Sequence, residues 1–350
     1  MKIVDLFSGV GGLSLGFHLA GFESDIAVEY SSNIAAGFAE NFPYTKLINE
    51  DINDINLSEL LAPLNGNNYI LIGGPPCQGF SQKGKRLGLN DDRNFMFLKY
   101  IEAVEFLKPK AILIENVPGI ITAENGYFLK DIESKLSSLG YRVSHKVLDA
   151  AEYGVPQTRK RAFIVGIANS NIDFDWPKRN EHKVTVENAI SDLPPLNSGE
   201  GKQEMPYTSL PQSEYQNAMR KNSEVIYNHI STKHSPLVLK RLSLIPENGG
   251  RNDLPIEHLT KSTFSGTWCR LSKTGQARTI TTRFDTPSSG MFTLPTQNRC
   301  LTVREAARLQ SFPDNFKFVG NKSTQMLQVG NAVPPLLSLA IAKQLKKQLS

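Results

Sequence analysis

The sequence predicts an α/β fold: a Rossmann-like, mostly parallel, doubly wound sheet joined to a smaller irregular domain. Three observations carry this. Residues 1–168 alternate short Ile- and Val-rich runs with segments of helical spacing, the texture changes near Trp176, and regular pattern returns only near the C-terminus.

The runs KIVDLF, SDIAVEY, YILIGG, AILIENV and RAFIVGIA are brief and apolar, as strands buried on both faces are. Between them, Phe97, Ile101, Val104 and Leu107 recur at helical spacing, and YFLKDIESKLSSLG ends on Gly140, a common helix stop. From Trp176 onward, SDLPPLNSGEGKQEMPYTSLPQ is rich in Pro, Gly and polar residues without a period, which marks a boundary and a loop-rich domain. LTVREAARLQ then reads as a short helix. PPLLSLAIAKQLKKQ reads as a longer one, with Leu337, Ile341 and Leu345 on one face. The expected division is residues 1–175, 176–298 and 299–350, the last helix packing back onto the first domain.

A chain of 350 residues can bury two cores. No apolar run approaches the roughly 20 residues of a membrane span, and MKIVDLFSGVGG lacks the layout of a signal peptide, so a cytoplasmic protein is expected. Cys77, Cys269 and Cys300 show no CxxC or Cys/His spacing. Neither a disulfide framework nor a metal site is expected. The net charge of +5 is unevenly placed: residues 176–298 hold 15 Lys/Arg against 11 Asp/Glu, a surplus that suits a polyanion.

In an open α/β sheet, ligands sit beyond the carboxyl ends of the strands. Three stretches fall there. In DLFSGVGGLSLGF, Gly9, Gly11 and Gly12 let a cofactor approach the backbone, although Ser14 stands where a dinucleotide motif has its third glycine. Glu29 follows at a spacing suited to accepting both ribose hydroxyls, with Tyr30 beside it to stack on an adenine and Asp51 to accept from the adenine amine. A nucleoside cofactor fits this set.

In LIGGPPCQGFSQKG, two prolines stiffen the turn that presents Cys77, and Lys83, Lys85, Arg86 and QTRKR can supply the positive charge that favours a thiolate. In AILIENVPGI, a buried strand ends in Glu115, whose apolar flanks should raise its pKa and fit it to donate a proton. Together the cysteine and the carboxyl group suggest covalent activation of an electron-poor ring.

The ordered set DLFSGVGG, GGPPCQGFS, ENVPG, QTRKR, LTVREAARLQSFPD and QVGNAVPP resembles the DNA (cytosine-5)-methyltransferase family, bacterial restriction-modification type, and spans nearly the whole chain. The resemblance implies a catalytic set of Cys77, Glu115, Arg159 and Arg161, one arginine near the cytosine O2 and the other holding the catalytic loop or a phosphate. It implies S-adenosylmethionine as cofactor, held by Phe7, Gly9, Gly11, Gly12, Glu29, Tyr30, Asp51 and Ile52, with Pro75, Met96, Asn331 and Val333 as further walls. The absent third glycine then fits, because this cofactor has no pyrophosphate.

By the same resemblance, residues 176–298 are a target-recognition region. Arg270, Arg278 and Arg283 are its DNA-contact candidates, joined by Gln78, Ser81 and Lys83 beside the cysteine. The expected partners are double-stranded DNA and, functionally, a cognate restriction endonuclease, with the enzyme a monomer. A tRNA-methylating branch has a different pattern after its Pro-Pro-Cys and no long recognition region. A silent homologue would have lost Cys77 or Glu115.

Overall fold

Runs dominated by Ile, Leu and Val are stable when covered by helices on both faces, and each of the five predicted runs becomes a strand. The computed structural model describes residues 1–76, 95–261 and 265–350, the side chains of Phe95 and Glu124 apart. The chain divides into two units, Met1–Asp149 with Lys160–Arg179 and Pro335–Ser350, and Ala150–Arg159 with Asn180–Pro334.

The first unit is built on a seven-stranded sheet of β1 (Lys2–Leu6), β2 (Glu23–Val28), β3 (Lys46–Ile48), β4 (Tyr69–Gly73), β5 (Ala111–Asn116), β6 (Tyr141–Asp149) and β7 (Lys160–Ala168). Their order is β3-β2-β1-β4-β5-β7-β6. β1 to β5 run parallel, and β7 lies antiparallel between β5 and β6. The order reverses between β1 and β4, and a crevice at their carboxyl ends is the natural ligand position.

Its helices are α1 (Gly12–Leu19), α2 (Ser32–Asn41), α3 (Leu57–Leu61), α4 (Phe95–Leu107), α5 (Gly119–Thr122) and α6 (Tyr127–Ser138), with α12 (Pro335–Leu349) completing the layer. On one face Val4, Leu6, Leu71, Ile112 and Ile114 pack with Tyr100, Val104 and Leu107 of α4 and with Ile132 and Leu136 of α6. On the other, α1 and α12 touch so closely that a Cβ on Gly16 would stand 2.3 Å from Ser338 Cβ. Ser338 Oγ donates to the Leu13 carbonyl at 2.7 Å, and Leu337, Ile341 and Leu345 are wholly buried.

Two strands carry little sequence signal. β3 is three residues long, and β6 is an edge strand that exposes Arg142, Lys146 and Val147 to solvent.

The second unit contains a two-stranded antiparallel sheet of β8 (Gly201–Pro206) and β9 (Val225–Ile230). Its helices are α7 (Val186–Ile190), α8 (Glu214–Arg220), α9 (Pro236–Leu244), α10 (Val303–Leu309) and α11 (Lys322–Asn331). Buried charge organises it. Arg308 of α10 binds Asp192 at 2.9 Å and Asp314 at 2.6 Å. Arg304 donates to the carbonyls of Tyr227, Pro313 and Phe316, and Arg299 donates two hydrogen bonds to the Glu305 carboxylate, Nη2 to Oε1 at 2.8 Å and Nη1 to Oε2 at 2.9 Å. These pairings explain a difference from the expected boundaries: residues 299–334 belong with the second unit, and only Pro335–Ser350 returns to the first. Among the described residues, no helix is long and apolar enough to cross a membrane.

Candidate active site

β1 ends in a turn of unusual backbone. Phe7 has φ 64°, Gly9 58° and Gly11 94°. A Cβ on Gly11 would come within 2.4 Å of the Phe42 ring, so no side chain fits there. A Cβ on Gly9 would meet none of the described residues within 4 Å, which leaves open space beside this glycine among them. Next to it, Ser8 Oγ is buried with no hydrogen-bond partner among the described residues. Gly11 caps α1 without a side-chain bond and no acidic residue stands in the first turn, which leaves the helix N-terminus positive.

Glu29, just past β2, fastens this turn. Its Oε2 accepts from Gly9 N at 3.0 Å and its Oε1 from Ser31 N at 2.8 Å. Burial raises its pKa, and the bonds from Ser31 and Gly9 limit the rise. The wholly buried Asp5 accepts from Ser14 Oγ at 2.6 Å, while its Oδ1 has no partner among the described residues. Burial pushes the Asp5 pKa up to about 7 against the pull of Ser14, and the charge of Glu29 adds to the rise.

Tyr30 follows, 72% exposed, with Asn49 bonded to the carbonyls of both Glu29 and Tyr30. Asp51 Oδ1 accepts from Asn53 N at 2.9 Å, Ile52 is buried, and Asn53 Nδ2 reaches Met96 Sδ at 3.9 Å. One edge of the sheet therefore brings together Gly9, Gly11, Gly12, Phe7 and Glu29, with Tyr30, Asp51, Ile52 and Met96 farther along it. An open glycine cradle, an orphaned hydroxyl and a positive helix end fit a nucleoside ligand that also carries a carboxylate. Asn331, exposed at the end of α11, and Val333, buried, belong to the second unit.

β4 and β5 end side by side. Asn116 Nδ2 donates to the carbonyl of the buried Pro75 at 2.8 Å, tying the turn after β4 to the end of β5. A Cβ on Gly74 would lie 3.1 Å from Glu115 Oε2, so the carboxyl group rests against the strand end that leads to Cys77. Arg161 Nε stands 2.9 Å from Glu115 Oε1, with both side chains largely buried. This ion pair fixes the plane of the carboxyl group at the strand end. Cys77, Gln78, Ser81 and Lys83 lie outside the described residues, as do Lys85 and Arg86. Of the other thiols, Cys269 is half-buried and Cys300 is buried, with burial raising the Cys300 pKa to about 12.

Two of the predicted arginines donate to main-chain carbonyls. Arg159 is buried and donates to the carbonyls of Ile280 and Gly330 at 2.9 and 2.8 Å. These two bonds tie backbone segments of the second unit together. Arg270 is likewise buried and donates to the carbonyls of Leu242, Ile245, Leu294 and Gln297 and to Asn298 Oδ1. A guanidinium so saturated has no donors left for DNA. Arg278 and Arg283 are exposed.

Ser8, Asn116 and Gln157 escaped sequence reasoning. Each is polar, buried and inside a motif quoted above, and membership of that motif was the available signal.

A model of the C-5 cytosine-specific DNA methylase family matches residues 1–347. The chain belongs to this family. It is 37% identical over 351 residues to the Type II methyltransferase M1.HphI of Haemophilus parahaemolyticus, covering 99% of this chain and 87% of that one. It is 36% identical over 372 residues to the Type II methyltransferase M.DdeI of Desulfomicrobium norvegicum, covering 99% and 88%. A solved E. coli structure, described as a DNA modification methyltransferase encoded within a prophage, matches with a TM-score of 0.80 at 29% identity over 99% of both chains. This methylase is thus a DNA cytosine-5 methyltransferase that uses S-adenosylmethionine.

Proposed function

We propose that this methylase modifies one cytosine of a short duplex sequence through a covalent adduct on Cys77, as the modification half of a Type II restriction-modification system. The observation that carries the residue assignment is the Glu115–Arg161 pair set against Gly74, at the strand end from which the chain runs to Cys77.

C5 of cytosine is a poor nucleophile. Cys77, as the thiolate, forms a bond to C6 while N3 takes a proton that Glu115 delivers or steers, and the ring becomes an enamine nucleophilic at C5. Arg161 orients the Glu115 carboxyl group. Bound S-adenosylmethionine supplies an electrophilic methyl group on a sulfonium sulfur. C5 takes that methyl group as the carbon–sulfur bond breaks; loss of the C5 proton to water, departure of the Cys77 thiolate from C6 and return of the N3 proton to Glu115 then restore the aromatic ring. None of this is possible within a stacked duplex, so the cytosine is turned out of the helix.

For the cofactor, Glu29 accepts from the ribose hydroxyls, Tyr30 and Ile52 flank the adenine, Asp51 accepts from its amine, and the turn of Phe7, Gly9, Gly11 and Gly12 receives the methionine part. Pro75, Met96, Asn331 and Val333 are assigned to the remaining walls. The enzyme is placed in the cytoplasm as a monomer, with a cognate endonuclease cutting the same sequence as its functional partner.

Duplexes carrying 5-fluorocytosine test the mechanism, because fluorine cannot leave C5 as a cation. With S-adenosylmethionine present, the protein is expected to gain the mass of one strand, linked at Cys77. Methylation without trapping would contradict the adduct.

A further inference from the structure

In the second unit, residues 277–284 form an irregular run with unusually secure backbone. Ala277 N donates to the Pro156 carbonyl and Thr158 N to the Ala277 carbonyl, both at 2.9 Å. The buried Gln157 accepts from Ile280 N at 2.7 Å, and Arg159 donates to the Ile280 carbonyl. Ala277, Ile280 and Phe284 are buried anchors, and between them Arg278 and Arg283 point to solvent. Side chains on clamped backbone are suited to recognition, since little further ordering is needed on binding.

The two arginines differ in what holds them. Arg283 Nε lies 3.2 Å from Asp285 Oδ1, the arginine side chain 63% exposed and the aspartate only 15%. Arg278 Nη1 donates to a neutral group, Ser265 Oγ, at 3.1 Å. A phosphate brought to Arg283 also approaches the Asp285 carboxylate, so repulsion offsets much of the attraction. The paired acceptors on the major-groove edge of guanine carry no net charge and escape that penalty. With Nε held, the two Nη groups remain as a fork of fixed plane. At Arg278 the positive charge is uncompensated by its hydroxyl partner, the condition a phosphate contact needs.

We propose that Arg283, buttressed by Asp285, reads a guanine in the target sequence, and that Arg278 takes a backbone phosphate. This rests on the DNA reading above. It divides specificity from affinity between two residues five positions apart in one run.

The test is methylation of a randomised duplex library, with modified sites mapped by sequencing, alongside the salt dependence of duplex binding. Arg283→Ala is expected to lose about tenfold to a hundredfold of discrimination at one guanine position, with the salt slope nearly unchanged. Arg283→Lys keeps charge without the fork and should not restore the discrimination. Asp285→Asn is expected to steepen the salt slope and tighten binding to unrelated duplex. Arg278→Ala should weaken all sequences alike and lower the slope by about one. A uniform loss with a reduced slope for Arg283→Ala, or no change of slope for Asp285→Asn, would overturn the assignment. Failure of the wild type to methylate any duplex would instead remove the DNA reading beneath it.

Discussion

Arg161 Nε lies 2.9 Å from Glu115 Oε1, joining two antiparallel neighbours, β7 and β5, at the end of the sheet where β4 turns toward Cys77. An isolated carboxyl group there would be free to swing; the guanidinium fixes its plane.

Removing either partner is therefore expected to slow methyl transfer while leaving cofactor affinity close to wild type. Glu115→Gln should lower the single-turnover rate by about 10²–10⁴-fold, the usual contribution of a positioned acid or base. Arg161→Ala should fall by a smaller factor, since it acts through Glu115. Equal loss of rate and of cofactor affinity would place the pair elsewhere in the machinery.

The glycine turn separates conformation from space. Gly9→Ala has room for its methyl group but must hold φ near 58° and would occupy the open cradle. A large drop in cofactor affinity is expected, with a stability cost of about 1–2 kcal/mol. In Gly11→Ala the methyl group meets Phe42 at 2.4 Å, so its thermal midpoint should fall further than that of Gly9→Ala. Calorimetry with S-adenosylmethionine and thermal melts of the two variants check both.

Legibility followed burial on both faces. AILIENV announces a central strand because no side of it meets water, whereas β6, polar and alternating at the edge, blends into its neighbours. Cys77, Glu115 and Glu29 stood out because each closes or follows an apolar run at the sheet's carboxyl edge. Arg270 was misread because an arginine looks the same in sequence whether its fork faces phosphate or main-chain carbonyls. Nor does LTVREAARLQSFPD reveal that its arginines are buried, since Arg308 is paired both with Asp314 at the segment's own end and with Asp192, more than a hundred residues earlier.

Asp5 gives a pH signature. Its pKa is raised from 3.8 to about 7, so the native state holds the proton more tightly than the unfolded chain. Stability from this group therefore falls as pH rises from about 4 to about 7 and is level above that. Relative to wild type, Asp5→Asn should gain in melting temperature across that window. A difference independent of pH would contradict the assignment.

Glu305 behaves in the opposite sense. Burial alone would raise its pKa, but Arg299 holds it down at about 2. Its contribution is present above the ordinary value of 4.5 and lost as pH falls toward 2. Arg299→Met strands a buried carboxylate and should cost about 3–5 kcal/mol at neutral pH. Denaturant unfolding at pH 7, and again near pH 3, checks the size and the sign.

The most direct measurement is transfer of labelled methyl from S-adenosylmethionine to unmethylated duplex DNA by wild type and Cys77→Ser, with bisulfite sequencing of the product. Methylation at C5 within one short recurring sequence, abolished in the variant, is the expected result. Undiminished methylation by Cys77→Ser, or label entering tRNA while duplex DNA stays unlabelled, would contradict it.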